Sequence, residues 1–112
     1  MKQIYIFLLG LMSMFSQCRN KPDIPAQPEI SFSKQVESII MSNCAQSGCH
    51  NGSKKPDLKD YNSIVQNVSP GNAHGSRLYT EIISRKMPPS QPLSDAQALL
   101  IYTWIMQGAK NN

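Results

Sequence analysis

The sequence predicts an all-α fold with long loops, and three observations support this prediction. An apolar stripe with helical spacing follows a helix-start signature within residues 94–107. No segment of useful length alternates apolar and polar residues with the period of two that marks a half-buried strand. Residues 47–57 are rich in Gly, Ser, Asn, Lys and Pro, which favour loops. We therefore expect about three to four helices joined by long loops.

The first helix is expected directly before a cysteine. Ser33 is the predicted N-cap, because a serine hydroxyl accepts a hydrogen bond from a free backbone N–H of the first turn. The apolar side chains that follow recur at i, i+3 and i+4, as Val36, Ile39 and Ile40. This helix leads straight into Cys44.

Two further helices are expected in the middle of the chain. A short helix is predicted within residues 60–68, before a turn at residues 69–72. Ser76 is the predicted cap of the next helix, whose apolar residues are Leu78, Ile82 and Ile83. The run Met87-Pro88-Pro89 is expected to end it, because proline disfavours helix at the residue before it.

The last helix has the clearest signature. Ser94 and Gln97 form a capping box of the Ser-x-x-Gln type, and Gly108 suits the position just past the helix end. The apolar stripe between them, which we expect to face the core, comprises Leu99, Leu100, Tyr102, Trp104, Ile105 and Met106.

The N-terminus is typical of an export signal. Lys2 supplies a positive charge, and residues 4–14 form an apolar run that is too short to span a bilayer stably. Cys18 follows this run and resembles the acylated cysteine of bacterial lipoproteins, although Gln17 stands where a small residue is usual. An ordinary thiol near a cleavage site is the alternative. We expect residues 1–17 to be a signal peptide and the protein to be exported, periplasmic and anchored in the membrane through a lipid on Cys18.

The rest of the chain divides into a tether and one domain. Residues 18–29 contain three prolines and no periodicity, which predicts an extended tether. Residues 30–112 remain as a single small domain. A domain of this size buries little apolar surface, and such domains usually need an additional stabilising element.

A Cys-x4-Cys-His string provides the main chemical signal. Cys44 and Cys49 are close enough in sequence for their thiols to add to the two vinyl groups of a haem. His50, directly after the second thiol, would then lie under the iron, where an imidazole nitrogen can ligate it. The usual attachment string has two residues between the cysteines, whereas this one has four. The longer spacer is expected to cost little, because the extra residues can bulge outward and Gly48 permits an unusual backbone angle.

Met87 supplies the second half of the signal. It precedes two prolines and a terminal amphipathic helix, well after the Cys-His string. In this order of features the segment from residue 32 to residue 108 resembles the small class I-like monohaem cytochrome c domains often labelled planctomycete-type. The resemblance implies a cytochrome c-like fold wrapped around one covalent haem c, with His50 and Met87 as the axial iron ligands. It also implies single-electron transfer to redox partners rather than enzymatic catalysis.

Other interpretations of these residues remain open from the sequence alone. Cys44 and Cys49 could form a disulfide in an oxidising compartment. With His50 they could instead hold zinc, for which His74 is the spare histidine that would complete a closed site. Met87 could be a filler of the apolar core. His74 could be a solvated loop residue or a reserve sixth ligand of the iron.

The charge of the chain is moderately basic. The formal net charge is +4, and removal of the signal peptide takes away Lys2 alone. Two haem carboxylates would offset part of the remaining charge, so nucleic acid is not an expected partner. The basic residues that are expected either to rim the haem edge and steer an acidic redox partner, or to form a solvated face, are Lys54, Lys55, Lys59, Arg85 and Lys86.

Three classes of function therefore follow from the sequence. The leading expectation is an electron carrier. The alternatives are a haem-based enzyme or sensor whose sixth iron position is open, and an anchored interaction domain without haem. Met87 distinguishes the first two, since a bound thioether closes the sixth position.

Overall fold

The helices of the domain are short and are separated by long connections. The computed structural model describes residues 28–112, so the signal peptide, Cys18 and the tether up to residue 27 lie outside the described residues. Within residues 28–112 there is no β-strand, only an isolated antiparallel bridge between Ser69 and Asn72. The helical elements are a π-helical turn, Phe32–Val36, which continues into α1 (Glu37–Asn43), then α2 (Tyr61–Val65), α3 (Arg77–Ile83) and α4 (Asp95–Met106). The prediction of an all-α fold with long loops is confirmed for this part of the chain.

The first helix begins two residues earlier than the sequence predicted. Its N-cap is Ser31, whose side chain accepts a hydrogen bond from the backbone N–H of Lys34. The prediction of Ser33 as the cap is wrong, because the helix opens with a wider π turn that already includes Ser33. The hydroxyl of Ser33 instead donates to the carbonyl oxygen of Asn112 at 2.9 Å.

Helix α2 is positioned by its N-cap, Asp60. The Asp60 carboxylate accepts hydrogen bonds from the backbone N–H and the hydroxyl of Ser63, each at 2.8 Å. These bonds favour the charged form and hold the pKa of Asp60 below its usual value. The helix ends at Val65, within the segment that the sequence indicated.

Helix α3 starts after Ser76, as predicted, but Ser76 does not cap it through its side chain. The buried hydroxyl of Ser76 accepts a hydrogen bond from the N–H of Ser69 and donates to the carbonyl of Asn72, both at 2.8 Å. It therefore fastens the preceding turn to the helix. The helix ends at Ile83, four residues before Met87, so proline is not its direct terminator.

Helix α4 confirms its predicted ends but not the whole of its predicted face. Ser94 and Gln97 form the capping box, and Gly108 follows with a φ of 103°, a left-handed angle that glycine adopts without strain. Leu99 is 51% exposed, so it does not belong to the buried stripe. The fully or nearly fully buried residues of this helix are Ile101, Thr103, Trp104 and Ile105.

The core lies where α4 crosses the start of the first helix. The rings of Phe32 and Trp104 are 5.6 Å apart, and Phe32 also makes an edge contact with Tyr61 at 5.1 Å. Val36 and Ile40 are fully buried in the same cluster. Burial of each such aliphatic side chain stabilises the fold by about 1.5–3 kcal/mol.

Residues at the two ends of the domain are joined by hydrogen bonds. The carbonyl oxygen of Asn112 accepts hydrogen bonds from the backbone N–H and the hydroxyl of Ser33, and from the hydroxyl of Ser31. The side-chain oxygen of Asn112 accepts a further bond from the N–H of Phe32 at 2.8 Å. We call this arrangement the terminal clamp.

No helix within residues 28–112 is both long enough and apolar enough to cross a membrane.

Candidate functional site

The chain from Cys44 to His50 forms a closed loop at the end of α1. The backbone N–H of His50 donates to the carbonyl of Cys44 at 3.1 Å, and that of Cys49 donates to Gln46 at 2.9 Å. Gly48 has a φ of 76°, the left-handed angle that the sequence led us to expect there. The four spacer residues are thus taken up by a turn that returns Cys49 and His50 to the helix end.

The two cysteines of this loop differ in environment. Cys44 is buried and Cys49 is exposed, and both are free thiols in the structure. Burial, followed by the charge of the nearby Cys49, raises the pKa of Cys44 above its ordinary value, to about 11. The disulfide that the sequence left open is not formed here, and the two thiols remain available for other chemistry.

The imidazole of His50 is oriented by a backbone carbonyl. Its Nδ1 atom lies 2.8 Å from the carbonyl oxygen of Pro56. A carbonyl oxygen can only accept, so Nδ1 carries the hydrogen and donates, which leaves the lone pair on Nε2. The carbonyl of His50 itself accepts from the N–H of Leu58 at 2.8 Å. A histidine whose Nδ1–H is held in this way is prepared to give Nε2 to a metal.

Met87 lies on the strap between α3 and α4. After α3 the chain turns through Arg85, which has a φ of 61°, and the N–H of Met87 then donates to the carbonyl of Glu81 at 3.2 Å. The Met87 side chain is 40% exposed and is not part of the buried core, so it does not act as a core filler. Leu93, which is buried, returns the strap to the core before α4 begins.

One cleft brings the predicted ligands together. It has a volume of about 380 Å³, and Cys44, Cys49, His50 and Met87 all contribute to its lining. Its apolar walls are formed by Leu58, Leu78, Ile82 and the prolines Pro56, Pro88 and Pro89. The polar residues of its lining are Asn43, Gln46, Lys54, Lys55, Asn67, Arg77, Glu81 and Ser90. We call this cavity the Cys-Met cleft.

His74 lies elsewhere. It does not line the Cys-Met cleft, and its ring contacts the rings of Tyr79 and Tyr102 at centroid distances of 5.5 and 6.1 Å. Burial raises the pKa of Tyr79 above its usual value, and the neighbouring Tyr102 adds to the effect. His74 is thus a largely exposed member of an aromatic cluster, and the structure does not bring it to the other candidate ligands.

The basic residues that the sequence placed around the site are separated by the structure. Lys54 and Lys55 line the Cys-Met cleft, whereas Arg85 and Lys86 are exposed on the strap outside its lining. Lys59 forms an ion pair with Asp57 at 3.4 Å.

A further basic residue, Arg77, lines the Cys-Met cleft and was not singled out from the sequence. Arg77 follows the predicted cap Ser76, and Glu81, one turn later on the same helix, also lines the cleft. A helical projection of α3 that marked Leu78 and Ile82 as buried would have placed both charged residues beside the apolar face.

The lining of the Cys-Met cleft fits a haem on the chemistry of its donors. It offers two thiols for thioether formation, an imidazole with a free Nε2, a thioether sulfur and an apolar wall on α3. Within residues 28–112, no three His, Cys, Asp or Glu side chains converge in a way that could hold a metal ion by themselves. An iron porphyrin requires only the two axial ligands from the protein.

Comparison of the chain with models of protein families, with curated proteins and with solved structures finds no match.

Proposed function

We propose that this protein carries one covalently bound haem c and transfers single electrons. The observation that supports the proposal most directly is the convergence of Cys44, Cys49, His50 and Met87 on one cleft. Met87 lies far along the chain from the Cys-x4-Cys-His string, and nothing in that spacing requires Met87 to share a cavity with the other three residues. The resemblance to small monohaem cytochrome c domains, seen in the order of motifs along the sequence, points in the same direction.

Each residue of the Cys-Met cleft has a distinct role in this proposal. Cys44 and Cys49 would hold the porphyrin by adding their S–H groups across its two vinyl double bonds, which gives two thioethers, and His50 would give Nε2 to the iron. Because the Pro56 carbonyl already holds Nδ1–H, the ring is oriented before the ligand bond forms and little side-chain entropy is lost. When bound, the haem supplies an iron that alternates between the ferrous and ferric states, so no substrate needs to be transformed.

Met87 is the proposed distal ligand. Its thioether is soft and uncharged, which favours ferrous iron and gives a higher reduction potential than a second histidine would. The backbone hydrogen bond from Met87 to Glu81 fixes the start of the strap, and Pro88 and Pro89 restrict the chain beyond it. The ligand is therefore presented from a strap of limited freedom.

The surroundings of the cleft suit a carrier that meets its partners at a surface. Lys54 and Lys55 are exposed at the cleft, and with Arg77 they outnumber Glu81, the one carboxylate of its lining, so the cleft carries a net positive charge. Such a charge steers an acidic redox protein towards the haem edge. With Cys18 acylated, the domain would work on the periplasmic side of a membrane.

A haem-based sensor or enzyme is the second candidate, and the exposure of Met87 is the observation that favours it. A ligand whose side chain is 40% exposed can leave the iron without unpacking the core. The sixth position would then be open to a small molecule. Addition of carbon monoxide to the reduced wild-type protein distinguishes the two: rapid binding at low concentration supports the sensor, and resistance supports the carrier.

Covalent attachment itself is tested by expression of the full chain in bacteria that have a haem c maturation system. We expect the pyridine haemochrome spectrum of haem c and a peroxidase-active band on a denaturing gel, at a ratio of one haem per chain. The Cys44→Ala/Cys49→Ala double variant is the control and should lose the band. A wild-type chain without bound haem would leave the third interpretation, an anchored interaction domain.

A further inference from the structure

A second, polar cavity opens beside the Cys-Met cleft. It has a volume of about 480 Å³. Its lining, which we call the polar annex, consists of Lys55, Pro56, Asp57, Ser63, Gln66, Asn67 and Arg77. Four of these residues, Lys55, Pro56, Asn67 and Arg77, also line the Cys-Met cleft. The two cavities therefore share one boundary, and the side chains on that boundary are mostly polar.

The polar annex carries a net positive charge. Lys55 and Arg77 are its cations, and within residues 28–112 neither of them forms an ion pair. Its one carboxylate, Asp57, is already paired with Lys59 at 3.4 Å. Two unpaired cations beside a cavity lined with amides and a hydroxyl favour an anion, and carboxylates match the planar guanidinium of Arg77.

The shape of a haem indicates where such an anion would come from. The two carboxylates of the porphyrin lie at the edge opposite the carbons that form the thioethers. Cys44 and Cys49 fix the thioether edge, and neither contributes to the polar annex. A carboxylate left against Leu58, Leu78 or Ile82 would lose its hydration without gaining a hydrogen-bond partner, which is unfavourable. Glu81, also in the cleft lining, repels a second negative charge.

We propose that the polar annex binds the carboxylates of the porphyrin, with Arg77 as the principal partner and Lys55 as the second. This inference rests on the proposed haem function and extends it, because it assigns the direction in which the porphyrin is seated. Arg77 acts here as a positioning residue. By neutralising a carboxylate near the iron it also opposes the accumulation of negative charge that would favour the ferric state.

The test compares Arg77→Gln and Arg77→Lys variants of the full-length holoprotein with the wild type. Arg77→Gln should lower the reduction potential, with the ferrous-to-ferric ratio at a fixed applied potential falling about tenfold, or about 59 mV for one electron. In resonance Raman spectra the propionate bending bands should shift. Arg77→Lys should restore the potential and leave the Raman bands altered, because lysine keeps the charge but loses the bidentate geometry.

The matched control is Lys34→Gln, since Lys34 is also a cation, is exposed and lies outside both cavities. It should change neither the Raman bands nor the potential by a comparable amount. A crystal structure of the holoprotein gives the direct answer: a porphyrin carboxylate oxygen should lie at about 2.7–2.9 Å from the Arg77 guanidinium.

Three results would overturn the proposal. The proposed orientation of the porphyrin is refuted if its carboxylates leave the cleft on another side and the Raman bands are unaffected by Arg77→Gln. A free anion or a partner's acidic side chain bound to Arg77, with the porphyrin carboxylates elsewhere, would assign the polar annex to an external ligand. Absence of covalent haem would refute the proposed function as well, and the haem stain separates this case from the other two.

Discussion

Cys44 and His50, the first and last residues of the Cys-x4-Cys-His string, are joined by a backbone hydrogen bond of 3.1 Å from the N–H of His50 to the carbonyl of Cys44. The bond closes the loop that contains the four spacer residues. A spacer longer than the usual two residues is thereby accommodated without moving the histidine away from the helix end. Within this loop Gly48 adopts a left-handed backbone angle.

Replacement of Gly48 by alanine should therefore destabilise the loop. Nothing lies within 4 Å of the position that a Cβ atom would take, so the cost comes from the backbone angle alone and should be about 1 kcal/mol. Gly48→Asn is the matched control, because asparagine tolerates this region better. Chemical denaturation of the holoproteins measures the difference, and equal losses for both variants would argue against a backbone origin.

Replacement of Met87 by alanine should leave the haem attached and open the sixth position of the iron. The ferric protein should lose the weak far-red band of sulfur-to-iron charge transfer, the potential should fall, and added imidazole should bind. His74→Ala should leave the spectrum unchanged, because His74 contacts Tyr79 and Tyr102 instead of the cleft. If the spectrum responds to His74→Ala and not to Met87→Ala, then Met87 is not the ligand and our proposal is wrong at this residue.

In the haem-free protein, Cys49 should be alkylated well before Cys44. Cys49 is exposed, whereas Cys44 is buried and has a pKa raised to about 11. At pH 8 only about one in a thousand Cys44 thiols is ionised. The rate of alkylation at Cys44 should therefore rise about tenfold per pH unit up to pH 10. Peptide mapping by mass spectrometry resolves the two sites and Cys18. Equal rates at pH 8 would show that Cys44 is not buried in solution.

Replacement of Ser76 by alanine should lower the free energy of unfolding by about 1–3 kcal/mol, because the hydrogen-bond partners of a buried hydroxyl are left unsatisfied. The N–H of Ser69 and the carbonyl of Asn72 would each lose a partner at 2.8 Å. Ser84→Ala, at the exposed residue directly after the same helix, should change stability by less than about 0.5 kcal/mol. Thermal denaturation of both variants measures the difference.

The local signals of the sequence predicted the structure well where a few neighbouring residues determine it. The capping box of Ser94 and Gln97 is such a case, because both hydrogen bonds lie within one turn. Gly48 and Gly108 are others, since a left-handed angle is a property of one residue. The prediction of Ser33 as a cap follows the same logic and is wrong, because the π turn already includes Ser33, whose hydroxyl donates to Asn112 at the other end of the domain.

Tertiary packing accounts for what the sequence could not predict. Leu99 and Ile101 are both apolar, and only the packing of α4 against the first helix and α3 determines that Ile101 is buried and Leu99 is exposed. The carbonyl of Pro56 cannot be identified as the partner of His50 from any motif, because every residue has a carbonyl. The position of α3 in the folded domain, which no local pattern specifies, brings Arg77 to the lining of the Cys-Met cleft.

The terminal clamp makes the point at which the chain enters the domain also the point at which it leaves. The hydrogen bonds from Ser31, Phe32 and Ser33 to Asn112 hold the first and last segments of the domain side by side. A short linker between them would therefore permit circular permutation, with new ends cut in an exposed loop such as residues 51–55. For the same reason the domain could be inserted into a surface loop of another protein, because its two adjacent ends would leave the ends of that loop close together.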